Sequence, residues 1–101
     1  MSAIAADAMR LTLEPGDDVA ALVRGAIGDS RVVAIAATLD VLAMAQARAA
    51  IGPLAIELAP ATRVNAVVQT AGAEPADVDA AVAFLEAARS TTGQVIEIRQ
   101  R

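Results

Sequence analysis

Two short runs constrain this chain most. Arg31-Val32-Val33-Ala34-Ile35-Ala36-Ala37 and Arg63-Val64-Asn65-Ala66-Val67-Val68 are β-branched and almost wholly apolar, with no in–out alternation. A strand with one face in water alternates; a continuous apolar run fits a strand covered on both faces, as in a parallel sheet. Parallel strands need long crossovers, and helical patterns lie between these runs. The expected class is therefore α/β with a mostly parallel sheet of about four strands and helices on both faces, in one domain over residues 1–101.

The remaining elements come in chain order. Residues 1–7 are small and mostly Ala, and read as a frayed tail. Arg10 to Glu14 reads as a short strand, placed by pattern alone, and Pro15-Gly16 as a turn. Asp17 or Asp18 caps a helix whose stripe is Val19, Leu22, Val23, Ala26 and Ile27, with Gly28 as its stop. Thr38 or Asp40 caps the next helix. From Val41 to Ile51 only Gln46 and Arg48 are polar, so that helix must be covered on more than one side, by the sheet and by a second partner. Pro53 gives the segment after it two readings. Leu54, Ile56 and Leu58 alternate as in a strand, or the helix continues to Leu58 and ends at Pro60. Pro75 and Asp77 open a helix with Val78, Ala81, Val82 and Leu85 inward, and Gln94 to Ile98 is a last strand.

Composition excludes much chemistry. All eight basic residues are Arg, spread singly along a chain of net charge −4, so no basic stripe exists for nucleic acid. There is no Cys and no His, which removes disulfides, the usual zinc ligands and imidazole acid–base catalysis. The N-terminus lacks the pattern of a signal peptide, and no apolar run is expected to reach membrane-spanning length, so a cytoplasmic protein is expected. Alanine supplies nearly half of the 56% hydrophobic content, and Phe84 is the one aromatic. A core built this way is thin, which favours association with a second subunit.

From Arg31 onward the chain resembles the C-terminal half of a short-chain dehydrogenase/reductase. Arg31 to Ile35 is similar to the strand ending at that family's catalytic serine, and Glu57-Leu58-Ala59-Pro60 to the end of its long active-site helix. Arg63 to Val67 is similar to the strand after that helix. Glu74 to Val78 with Ala81 to Leu85 resembles the penultimate helix, and Thr92-Gly93-Gln94-Val95 the start of the final strand. The resemblance implies a Rossmann-like half-domain, truncated, in which Pro53 to Leu58 is helical. It also implies where chemistry would sit. The family's catalytic Tyr and Lys would fall at Asp40 and Met44, the serine region reads Ala36-Ala37-Thr38, and a Pro-Gly after the third strand is Gln69-Thr70. The chain contains no Tyr and no Lys at all. Nothing resembles a Gly-rich dinucleotide fingerprint.

The remaining polar candidates have structural readings. Asp17-Asp18 reads as helix capping rather than a metal pair, and Asp77 with Asp79 as a solvated face. Ser90-Thr91-Thr92 reads as a polar loop rather than a phosphorylation or anion site, and Asn65 as a partner to a loop. No catalytic, cofactor-binding or metal residue is assigned, and no cofactor. The candidate site is an interface formed by Leu42, Met44, Ala45, Ala49, Ile51 and Ile56, on the helix that the resembled family also buries between subunits. The leading reading is a non-catalytic assembly module, either a homodimer or a partner of an intact related reductase. Two alternatives stand beside it: a ligand-binding domain keeping a nucleotide or acyl pocket, and a small regulatory domain of the anti-sigma-antagonist kind with Thr38 as its phosphorylatable residue.

Overall fold

The computed structural model describes residues 8–100, so the reading of residues 1–7 lies outside the described residues. Four strands form one all-parallel sheet in the order β1 (Ala8–Leu13), β2 (Ser30–Ile35), β3 (Arg63–Gln69) and β4 (Val95–Ile98). The strand read from pattern alone at Arg10 joins this sheet as β1, with Leu11 beside Val33. Both apolar runs lie at its centre, and five consecutive residues of β3, Val64 to Val68, are buried.

Three helices make the crossovers: α1 (Val19–Gly25), α2 (Val41–Leu58) and α3 (Pro75–Ala87). The α1 and α2 helices cover one face, where Val23, Ala47, Ile51, Leu54 and Ala55 pack on Val33, Ile35, Val64, Ala66 and Val68. The α3 helix covers the other face, where Val78, Val82 and Leu85 pack on Val32 and Val67. Strand order advances uniformly while α3 changes face. The third crossover therefore has the opposite hand to the first two, an exception to the near-universal single hand of such connections.

The core is purely aliphatic. Phe84 is 62% exposed on the outside of α3. The α1 stripe is shorter than the sequence pattern implies. The helix ends at Gly25, Ala26 is its extended cap, and Ile27 is 67% exposed. Gly is a poor helix residue, and the Arg31 guanidinium takes up the carbonyls of Val23 at 3.0 Å and Gly28 at 3.2 Å, which closes the helix early. Gly28 then turns the chain into β2 with φ 104°.

Pro53 lies inside α2, so the helical reading holds. Its missing N–H frees the carbonyl of Ala49. Both residues are exposed, so water can satisfy that group. The α2 helix also corrects one expectation. With 18 residues and a mean hydropathy of 1.3 it is long and apolar enough to cross a membrane by length and composition. Its inner residues nevertheless belong to the core of the sheet, and it carries Arg48 and Glu57.

Arg63 does for α3 what Arg31 does for α1. Its guanidinium donates to the carbonyls of Ala88 at 2.7 Å and of Leu85 and Glu86 at 3.4 Å, at a helix end with no basic residue of its own. Removing this half-buried cation leaves those carbonyls short of donors. Arg63→Ala is expected to lower stability by about 2 kcal/mol in urea unfolding. The buried Ser30 Oγ lacks a hydrogen-bond partner, so Ser30→Ala should be neutral or slightly stabilising in the same experiment.

Candidate interface on the long helix

Asp40 caps α2, its carboxylate accepting the Ala43 N–H at 2.8 Å. From this start the helix presents two opposite apolar stripes. Ala47, Ile51, Leu54 and Ala55 face the sheet and are buried. Leu42, Ala45, Ala49, Gly52 and Ile56 recur at alternating spacings of three and four, which is the seam that a partner helix reads. The ends of this seam are bulky and bare: Leu42 is 67% exposed and Ile56 79%, and Val41 beside it is 89% exposed. Its middle is small, so a partner backbone can approach closely there.

The candidate interface residues thus divide. Leu42, Ala45, Ala49 and Ile56 share the exposed face. Met44 is half-buried on the flank, against the core. Ile51 is a correction: it is 0% exposed and sits in the core, so it cannot meet a partner in this fold. A helix apolar on nearly every side gives no ranking of its sides from sequence. Gly52 and Val41 were missed; the seam's spacing from Leu42 to Ile56 would have found Gly52.

An apolar depression of about 270 Å³ opens at the C-terminal end of this face, lined by Gly52, Ala55, Ile56, Ala59, Thr92 and Gly93. The rim is charged. Arg24 of α1 grips Glu57 with two hydrogen bonds of 2.8 and 2.7 Å, and Arg48 lies 3.6 Å from Glu97 of β4. The double hydrogen bond from Arg24 holds the Glu57 carboxyl below its ordinary range and raises the guanidinium's own value.

The other polar candidates serve the fold. Asp18 caps α1 through the Ala20 and Ala21 amides, and Asp17 accepts the Glu14 N–H. Asp79 pairs with Arg10 of β1 at 2.7 Å, so it does more than face solvent. Asn65 is fully buried, donating to the Thr91 carbonyl and accepting the Gln94 N–H, while Thr92 Oγ1 accepts the Val64 N–H. Thr38 is exposed in the loop ahead of the Asp40 cap. Among the described residues no cluster of acidic groups could hold a metal ion. A second depression, of about 280 Å³, lies at the carboxyl end of β1 between α1 and α2. Glu14, Asp17 and Asp18 line it, which sets carboxylates where a nucleotide phosphate would need donors.

A parallel sheet between helical layers places the chain among Rossmann-like α/β proteins. The family model described as SDR-like, short chain dehydrogenase-like protein, matches residues 3–98, and the chain belongs to that family. No curated protein and no solved structure matches it.

The Arg24–Glu57 contact predicts a pH dependence with a definite sign. Because the folded carboxyl titrates lower than the unfolded one, its contribution is complete above the unfolded value and is lost as pH falls through the folded value. Melting curves of the native protein and Glu57→Gln should therefore differ at neutral pH and converge in acid.

Proposed function

We propose that this chain is a non-catalytic, short-chain dehydrogenase-like assembly module of the cytoplasm, which self-associates through the outer face of α2. The observation that carries the reading is the bare apolar seam from Leu42 to Ile56 on a helix whose opposite side is already in the core. Leu42 and Ile56 each lie about two turns from Ala49. In an antiparallel pair with its two-fold at Ala49, Leu42 of one copy lies beside Ile56 of the other. The small residues between them let the helix axes approach to about 8 Å. The depression beside Ile56 gives each incoming Leu42 a recess. The same face would serve a related reductase subunit, with co-purification as its test.

The absence of Tyr, Lys, His and Cys supports the non-catalytic half of the reading. Asp40 and Met44, at the positions aligned with the family's reactive residues, are occupied as a helix cap and a core flank. The carboxylate-lined depression at the sheet's carboxyl end argues against a retained nucleotide pocket. NAD(H) and NADP(H) are therefore expected to leave the melting temperature unchanged, and the purified chain to turn over neither.

Light scattering after size exclusion tests the interface. The native chain is expected to self-associate, and Leu42→Asp, at an exposed position, to weaken that association at least tenfold with an unchanged circular dichroism spectrum. A native chain that stays monomeric at concentrations on the order of 100 μM would sink the homomeric reading.

A further inference from the structure

The two edges of the sheet are finished differently. Edge strands expose unpaired N–H and C=O groups and are usually blunted by shortness, charge or proline. β4 is four residues long, and Glu97 on it meets Arg99 at 2.9 Å and Arg48 at 3.6 Å. β1 is less protected. It is six residues long, no strand pairs with its outer edge among the described residues, and its single charge, Arg10, is held against Asp79 on the α3 side. On the α1 side the edge continues into an apolar groove of about 450 Å³, where Met9, Leu11, Leu22, Gly25 and Ile27 carry no charge. Early closure of α1 leaves this groove uncovered among the described residues, and Ile27 is 67% exposed at its margin.

We propose that this edge is a second interaction surface, on which β1 pairs antiparallel with β1 of a second copy to join two sheets into one. The occupant must be an extended segment, because what the edge offers is backbone hydrogen bonding. It must carry apolar side chains on the α1 side, because the groove is uncharged. β1 meets both demands, presenting Met9 and Leu11 on that side. A two-fold normal to the sheet reverses strand direction and keeps each face on its own side. Groove then meets groove, and Ile27 of each copy is covered by its counterpart. On the other face each Arg10 brings its own Asp79 countercharge. A six-residue strand is about 20 Å long, and the edge with its groove spans roughly two layers of 10 Å. That gives on the order of 800 Å² in all, at the low end for specific contacts, so the pairing is concentration-dependent.

This surface stands independently of the α2 face, and with both in use the native chain forms a tetramer or a filament. The test therefore starts from Leu42→Asp, the variant expected to weaken the proposed α2 contact. Its oligomeric state is measured by sedimentation from about 1 to 500 μM, with amide hydrogen exchange at both ends. The expected result is a monomer–dimer equilibrium, slower exchange of β1 amides at high concentration, and a dissociation constant raised at least tenfold by adding Ile27→Asp. A Leu42→Asp protein that stays monomeric, or a dimer with unchanged β1 exchange, or one indifferent to Ile27→Asp, overturns the proposal. Slowing of β1 exchange only by an added apolar peptide overturns the second copy as occupant.

Discussion

Everything in this fold depends on the parallel pairing of β2 with β3. Parallel neighbours cannot be joined by a tight turn, so each link must climb over the sheet as a helix. A sheet of this kind is also stable only when both faces are covered. Three helices have to cover two faces of four strands. The short α1 and the long α2 share one face, and α3 takes the other by reversing the hand of its crossover. The coverage is uneven as a result. The 18-residue α2 spans about 27 Å, longer than the roughly 20 Å of a six-residue strand. The seven-residue α1 cannot cover the margin of β1. Among the described residues the open margin of β1 arises from that mismatch, whereas the bare seam of α2 is the side of the helix turned away from the sheet.

Two arginines tie the layers to the sheet. Arg31 and Arg63 stand at the starts of the two central strands and reach to opposite faces, one into the carbonyl end of α1 and the other into that of α3. The planar guanidinium reaches several carbonyls at once, which a lysine ammonium does less well. A residue at the start of a strand thereby helps fix where the helix beside it stops. In α1 this comes at the expense of a further turn, and Ile27 is left outside.

The elements that were legible in sequence are those whose pattern is dictated by burial on both sides. The central strands and α3 with its Pro75 start are local signals backed by packing, and the caps were narrowed to Asp17 or Asp18 and to Thr38 or Asp40, of which the fold uses Asp18 and Asp40. The end of α1 was not legible, because the Ala26 and Ile27 spacing fits a helix, while Gly25 and the Arg31 guanidinium, several residues on, close it early. Pro53 was ambiguous because its effect depends on whether the freed carbonyl meets water, a property of the helix's orientation. Ile51 was misassigned to the interface for the same reason. The reversed hand of the last crossover has no sequence signature, since the inward stripe of α3 reads the same on either face.

The polar groups that could have carried chemistry are absorbed by architecture. Asp18 and Asp40 saturate helix amides, Asn65 and Thr92 bind the loop before β4 to β3, and Thr70 Oγ1 donates to the Ile98 carbonyl. The depressions beside α2 and β1 are apolar and shallow. Alanine is mostly kept out of the core: among the described buried hydrophobic residues only Ala34, Ala47, Ala55 and Ala66 are alanine, and Val, Leu and Ile supply the rest. On the outer face of α2 the exposed Ala45 and Ala49 flatten the seam between the bulky, exposed Leu42 and Ile56. On the reading proposed above, that small-residue middle is what would let a second helix approach closely.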